Sequence, residues 1–440
     1  MQFNFNKYLQ LIDRFDPIKL NGRVTQLVGL IIESLGPNVC LGEICMIKPR
    51  TLNLPPIAAE VVGFKEAKIQ LMPLSEPAGI APGCEVIATG APLKIPVDRR
   101  LLGRIIDGLG NPLDQFPPIA NPEAYYSTFN QPPNPLNRPR INKHLETGVR
   151  CIDGLITLGK GQRVGIFAGS GVGKSTLLGM IARNTNADVN VIALIGERGR
   201  EVLEFIDRDL GPEGLKRSVV VVATSDQSSL VRLKGAMVAT SIAEYFRDLG
   251  LDVILMMDSV TRFARAQREI GLAVGEPPAQ RGYTPSVFAI LPRLLERAGT
   301  SKKGSITGLY TVLVDGDDFD EPISDTVRGI LDGHIVLTRK LAAQNHYPAV
   351  SVLDSISRLM TEVTDKDHQK FANNFKSTLA TYTEAQELIN IGAYVDGSNP
   401  TIDRAKKLYP EMCKYLKQTI KDRCTFEDSK EELVELLKNS

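Results

Sequence analysis

The spacing of apolar positions changes several times along this chain, and each change marks a different kind of structure. Over residues 1–20, Phe5, Tyr8, Leu9, Ile12 and Phe15 recur at helical spacing and Pro17 closes the stretch, which predicts a short amphipathic helix. Such a helix packs either on its own next domain or on a partner. Residues 22–92 change texture: Val24–Ile32, Glu43–Ile47, Ala59–Val62, Ile69–Met72 and Glu85–Ala88 read as short strands between Gly and Pro turns. Several such strands in so short a span predict a small closed β-barrel. From about residue 145, helical segments alternate with nearly continuous β-branched runs at Val189–Ile195, Ser218–Ala223, Val253–Met257 and Leu309–Val314. Runs that are apolar on both faces of the pleat belong to parallel strands covered by helices, so the core is expected to be α/β. After about residue 365 the chain reads helical, and Ser429-Lys-Glu-Glu432 forms a capping-box pattern ahead of Leu433, Leu436 and Leu437.

Between barrel and core lie Pro117, Pro118, Pro122, Pro132, Pro133, Pro135 and Pro139, which exclude a regular helix or a central strand. What remains is either an extended segment laid over a domain or a loose linker. A length of 440 residues leaves room for two or three domains. The net charge of +1 gives no push toward nucleic acid or anionic membrane, and no nucleic-acid partner is expected. Cysteines at 40, 45, 84, 151, 413 and 424 show no zinc pairing and fit a reduced cytosolic compartment. With no secretion signal and no bilayer-length apolar run, the expectation is a soluble cytoplasmic protein able to dock at a membrane.

The sharpest local chemistry is Gly165-Ile-Phe-Ala-Gly-Ser-Gly-Val-Gly-Lys-Ser-Thr176: an apolar strand, a glycine-rich loop, then Lys174-Ser175 opening a helix. Gly169, Gly171 and Gly173 let backbone N–H groups curl around phosphate oxygens, with Ser170, Val172 and Thr176 completing the nucleotide-binding segment. Lys174 suits the β- and γ-phosphates, the Ser175 hydroxyl suits Mg²⁺, and the helix directs its positive end at the anion. The strict pattern has Gly where this chain has Ala168, but the phosphate-facing donors come mainly from the residues after it. A dinucleotide fingerprint fits poorly, because one spacer is missing before the last glycine.

A bound triphosphate also needs a metal holder, a water activator and charge compensation. Val253-Ile-Leu-Met-Met-Asp258 is an apolar strand ending in an acid, which places Asp258 to hold Mg²⁺ through its water shell; the plainer alternative is a helix N-cap. The strand at 189–195 runs into Gly196-Glu-Arg-Gly-Arg-Glu201, where Glu197 is the candidate to polarise water and Arg198 to steady the loop or touch phosphate. The plainer alternative there is a solvated charged loop.

In combination these features resemble the catalytic subunits of rotary ATP synthases and, more closely, the hexameric ATPases of type III secretion, in particular their flagellar export branch. The resemblance spans roughly residues 20–420. It is carried also by Leu101-Leu-Gly-Arg-Ile-Ile-Asp-Gly-Leu-Gly-Asn-Pro-Leu-Asp114, Leu255-Met-Met-Asp-Ser-Val-Thr-Arg-Phe263 and Gly329-Ile-Leu-Asp-Gly-His-Ile-Val-Leu-Thr-Arg-Lys340. It implies an amphipathic helix at 1–20, a β-barrel domain at 21–93, a RecA-like ATPase core at 94–364 and a C-terminal helical domain at 365–440. It further implies ATP and Mg²⁺, with Lys174, Ser175, Glu197, Arg198 and Asp258 at the chemistry. Tyr347 in His346-Tyr-Pro-Ala349 would stack on adenine, and Arg358 would be an arginine finger reaching a neighbour's site.

The partners implied are a homohexamer, a stator-like regulator on the N-terminal helix and a central stalk facing Gly275–Pro285. An export gate at the inner membrane, and export substrates with their chaperones, complete the set. The implied localisation is cytoplasmic and peripheral to that membrane. Non-catalytic relatives carry glutamine where this chain has Glu197, and an amide cannot take a proton from water. The alternatives are a virulence injectisome ATPase, a rotary synthase catalytic subunit, a hexameric RNA translocase, or a nucleotide-binding ring without turnover. Val312–Glu321 and Ser355–Met360 look more flagellar than injectisome-like. A translocase would need an aromatic, basic barrel face, and residues 22–92 hold no Tyr and Phe only at 64.

Overall fold

The barrel is built from β1 (Gly22–Val28), β2 (Ile31–Leu35), β3 (Glu43–Ile47), β4 (Ile57–Lys65), β5 (Lys68–Pro73) and β6 (Glu85–Pro92), closed in the order β1-β2-β5-β4-β3-β6 with every pairing antiparallel. These strands belong to a computed structural model that describes residues 21–51, 54–314 and 318–438; the helix expected over 1–20 lies outside them. Val24, Ile32, Cys45, Ile47, Ala59, Val61, Leu71 and Val86 point inward and fill the barrel. The apolar run Val24–Ile32, read above as one strand, is two. Gly29 takes φ 58°, a left-handed turn open to glycine, and β1 folds back on β2 with Val28 opposite Ile31.

The second unit is organised around a nine-stranded sheet. Its strands are β7 (Ile105–Asp107), β8 (Arg163–Ala168), β9 (Val189–Ile195), β10 (Ser218–Ala223), β11 (Asp252–Asp258), β12 (Ser305–Leu313), β13 (Gly333–Leu337) and β14 (Val350–Ser357). Their order is β14-β13-β8-β12-β11-β9-β10-β7, with Gly299–Thr300 added against β12. All are parallel along this path except β14, which runs antiparallel to β13. Strands β9, β10 and β11 are buried almost throughout, as their unbroken apolar runs require. Parallel alignment brings the carboxyl ends of β8, β11 and β9 to one edge, where ligands bind in open α/β sheets.

The helices that matter for function are α1 (Arg150–Leu155), α2 (Lys174–Asn184), α3 (Gly199–Glu204), α4 (Ser229–Asp248), α5 (Val260–Ala273), α6 (Arg339–Ala343), α7 (Lys366–Asn390), α8 (Pro400–Leu416) and α9 (Phe426–Lys438). One apolar core runs from the sheet into α7–α9, joining Ile152 and Leu155 to Phe375, Met412 and Leu433. The capping box of α9 lies four residues upstream of the pattern read from sequence. Thr425 Oγ1 accepts the Asp428 N–H at 3.1 Å, the Asp428 carboxylate accepts the Thr425 N–H at 3.0 Å, and Ser429 is already inside the helix. Among the described residues no helix is long and apolar enough to cross a membrane.

The proline-rich connector is not a loose linker. The Leu101–Asp114 motif supplies the edge strand β7, paired in parallel with β10, and Arg104 holds Asp114 at 2.7 Å. Beyond it the chain is strapped onto α4: Tyr245 donates to Glu123 at 2.7 Å, Ser241 to the Ser127 carbonyl at 3.0 Å and Asn130 to Glu244 at 2.8 Å. Arg297 anchors the strap from below. Its guanidinium makes two 2.8 Å bonds to Glu244 and further 2.8 Å bonds to the Thr128 carbonyl and Ser241 Oγ, with 4% and 2% of the Arg297 and Glu244 side chains exposed. Removing one partner of such a pair strands the other charge in the interior at a cost of about 3–5 kcal/mol. Glu244→Ala is therefore expected to lower the melting temperature measured by calorimetry; an unchanged melting temperature would show that the strap is held by other contacts.

Candidate nucleotide site

Strand β8 ends at Ala168 and α2 begins at Lys174, so residues 169–173 must turn sharply between them. Gly171 and Gly173 do so with φ of 78° and 88°. No side chain caps α2, so the N–H groups of its first turn are left for an anion. Gly169 is packed against another chain segment: a Cβ there would stand 2.9 Å from the Arg339 guanidinium at the start of α6. Gly173 has Tyr347 for a neighbour, its ring 3.5 Å from where a Cβ would stand. Tyr347 is 42% exposed, and its carbonyl is tied by the Gln418 N–H at 3.0 Å, so the C-terminal helical region helps fix it beside the loop.

Lys174 reaches across to the ends of β11 and β9. Its ammonium is hydrogen-bonded to Asp258 Oδ1 and lies 3.6 Å from Glu197 Oε1. Asp258 is not a helix cap: Ser259 Oγ accepts the Arg262 N–H at the start of α5, and Asp258 Oδ1 instead also accepts from Thr311 Oγ1 at 2.8 Å. Glu197 is buried, its Oε2 accepts from Arg262 Nη2 at 3.3 Å, and its Oε1 has no hydrogen-bond partner among the described residues. Burial and the neighbouring Asp258 charge push the Glu197 carboxyl up to about 7, against the pull of Lys174 and Arg262. A buried carboxylate with one oxygen in no hydrogen bond, 3.6 Å from Lys174, is thus held beside the phosphate loop.

A cavity of about 550 Å³ opens onto this cluster, lined by the loop from Ala168 to Thr176 together with Glu197, Glu201, Arg262 and Arg265. Ser170 is exposed, Val172 is buried beneath the loop, and Ser175 and Thr176 face the cavity. Arg198 lies on the rim with its side chain 77% exposed and donates to Glu201, within its own Gly196–Glu201 segment, at 3.4 Å. The donor set fits a magnesium-bound triphosphate: bare amides and Lys174 for phosphate, and the hard oxygens of Ser175 and Asp258 for the metal. Arg358 is not part of this cluster. It follows β14, whose Ser357 pairs with Gly333, at the amino end of the sheet, whereas the phosphate loop is at the carboxyl end.

Residues 148–357 match the model of the ATP synthase alpha/beta family nucleotide-binding domain, and residues 24–90 match the beta-barrel domain of that family. A flagellum-specific ATP synthase of Bacillus subtilis is 57% identical over 433 residues, 98% of each chain. This chain belongs to the ATP synthase alpha/beta family. Within the family its C-terminal region matches the type III secretion branch, with residues 364–435 fitting the model of the EscN ATPase C-terminal domain. A type 3 secretion system ATPase of Xanthomonas euvesicatoria is 52% identical over 410 residues, 93% of this chain and 92% of that one. The assembled ATPase EscN of the enteropathogenic E. coli type III secretion system superposes with a TM-score of 0.88 at 46% identity, covering 94% of this chain and all of that one. The same ATPase has been solved in complex with its central stalk EscO, again with a TM-score of 0.88.

The fold of the family is the one read from sequence: a barrel, an α/β nucleotide-binding core and a helical end. Arg262, Arg265 and Thr311 were given no role there. The signal for the arginines is their i, i+3 spacing on the helix that follows the acid-tipped strand. For Thr311 it is a hydroxyl inside an otherwise apolar buried strand, a position where a polar group needs a partner.

Proposed function

We propose that this chain is the ATPase of a flagellar protein-export apparatus, and that it splits ATP by in-line attack of water on the γ-phosphate. The observation that carries this reading is Glu197 Oε1, buried 3.6 Å from Lys174 at the mouth of the phosphate loop and, among the described residues, without a hydrogen bond. Lys174 and the amides of residues 169–175 bind and orient the phosphates. Glu197 takes the proton from the attacking water at Oε1, and Arg262 orients that carboxylate through Oε2. Ser175 and Asp258 would hold Mg²⁺, which when bound neutralises charge on the phosphate oxygens. Tyr347 offers an aromatic face to the base, and Arg198, on the rim, is available to phosphate oxygens on closure.

Arg358 is exposed and remote from its own loop, which supports its use by a neighbouring copy and hence a ring, proposed as a homohexamer. The EscN–EscO complex supports a central stalk contact, to which we assign the Gly275–Pro285 loop. A regulator on residues 1–20, an export gate at the inner membrane, and substrates with chaperones complete the reading, with the protein cytoplasmic and peripheral to that membrane. The 52% identical secretion ATPase favours one second reading, a virulence injectisome ATPase of the same chemistry. The test is phosphate release by the purified protein in Mg²⁺ with oligomer mass followed in parallel. Specific activity is expected to rise with protein concentration as rings form, and full activity in a solitary chain would overturn the shared-site reading.

A further inference from the structure

Gln162 immediately precedes β8 and is fully buried. Its carboxamide oxygen accepts the Gly159 N–H at 2.8 Å, and its Nε2 donates to the Asp332 carbonyl and to Ser357 Oγ, both at 3.1 Å. The Asp332 carbonyl also accepts the backbone N–H of Arg358 at 3.0 Å. Gln162 therefore grips the residue before Arg358 and the carbonyl to which the Arg358 backbone is tied.

The surroundings make this grip rigid. The Asp332 carboxylate accepts from the Arg163 N–H and Nε at 3.1 Å each and from Nη2 at 3.2 Å, and the Asp332 N–H returns to the Arg163 carbonyl at 2.9 Å. A Cβ on Gly333 would lie 2.5 Å from the Ile356 carbonyl and 3.3 Å from Gln162 Nε2, so the segments touch without slack. Beyond this root the Arg358 side chain is exposed and has no hydrogen-bond or ion-pair partner among the described residues. The guanidinium therefore begins its reach from a backbone held by the Asp332 carbonyl, with Gln162 bonded to that carbonyl and to Ser357.

We propose that Gln162 is a positioning residue for Arg358, setting the origin of the side chain that a neighbouring copy uses. This rests on the reading of Arg358 as a group supplied between copies. Gln162 acts from the first turn into β8, whose far end carries the copy's own phosphate loop, so the competing account is an effect on its own site. Mixed assemblies of full-length variants separate the two.

Gln162→Leu keeps the volume and removes the bonds. Because a misplacement of about 1 Å can cost 10²-fold in rate, kcat is expected to fall about 10–100-fold, with KM and the affinity for a fluorescent ATP analogue within about twofold of the parent. Mixing Gln162→Leu with Glu197→Gln should restore hydrolysis, because the Glu197→Gln copies lend an intact Arg358 to intact sites. Mixing Gln162→Leu with Arg358→Ala should restore nothing. The reverse pattern places Gln162 in its own copy's site and overturns the proposal. Ser357→Ala, which removes the hydroxyl bonded to Gln162 Nε2 at 3.1 Å and to its Oε1 at 3.4 Å, should behave alike with a smaller loss; it replaces Gln162→Leu in the mixtures if that variant melts early, with the same two patterns deciding. If Arg358→Ala mixed with Glu197→Gln does not recover, Arg358 itself leaves the neighbour's site, and the role for Gln162 goes with it.

Discussion

Glu197→Gln is expected to bind ATP as tightly as the parent and to hydrolyse it about 10²–10⁴-fold more slowly, the range lost with a positioned general base. The substitution keeps size and shape, so the cavity and the loop at 169–173 should be unchanged. It removes basicity at Oε1, the oxygen that the structure leaves without a hydrogen bond. Its effect on stability should be small or favourable, because two carboxylates, Glu197 and Asp258, now crowd one ammonium, and burial already works against the charge on Glu197. Phosphate release under single-turnover conditions, with analogue binding measured alongside, separates chemistry from binding. Hydrolysis within tenfold of the parent would displace Glu197 as the activator. Loss of binding would instead mean that the carboxylate serves mainly to hold Lys174.

The parts of the site that were legible in sequence are those whose chemistry is local. The phosphate loop is contiguous, and its glycines, lysine and hydroxyl are fixed by a single turn into α2. Glu197 and Asp258 were legible because each closes an apolar parallel strand, and parallel strands deliver their carboxyl ends to one edge. What sequence did not supply are the groups that meet only through the sheet. Arg262 reaches Glu197 across 65 positions and Thr311 reaches Asp258 across 53, pairings that depend on β9, β11 and β12 being neighbours.

The same distinction between local and long-range chemistry separates these elements from their hydropathy pattern. Gly29 breaks an apolar run without any polar residue to announce the turn, so hydropathy alone cannot see the hairpin between β1 and β2. The α9 cap falls at Thr425 and Asp428, beside Phe426, whose ring stacks on His144 with centroids 3.9 Å apart, a contact between segments far apart in sequence that local spacing does not show. The prolines between 117 and 139 excluded regular structure but left two outcomes; Arg297 and Glu244, more than a hundred residues downstream of the strap they hold, decide for the bound one.

Arg358→Ala is expected to leave nucleotide affinity and melting temperature near those of the parent while turnover falls at least about 10³-fold, the lower end of what an arginine finger contributes. Six-residue β8 separates the amino edge of the sheet, where Arg358 is rooted, from the phosphate loop by about 20 Å, at roughly 3.3 Å per residue. No rotamer of an arginine closes that gap around the edge of its own sheet, so any contribution to hydrolysis must be made to another copy. Because the side chain has no hydrogen-bond or ion-pair partner among the described residues, its removal is expected to cost little stability, with the loss confined to catalysis. Arg358→Lys should recover little of it, since a point ammonium lacks the planar fork that spans two phosphate oxygens. The decisive measurement is specific activity against concentration: the parent should climb as copies assemble and Arg358→Ala should stay flat at the same oligomer mass. Parent-like turnover in the assembled variant would return Arg358 to the status of a surface charge.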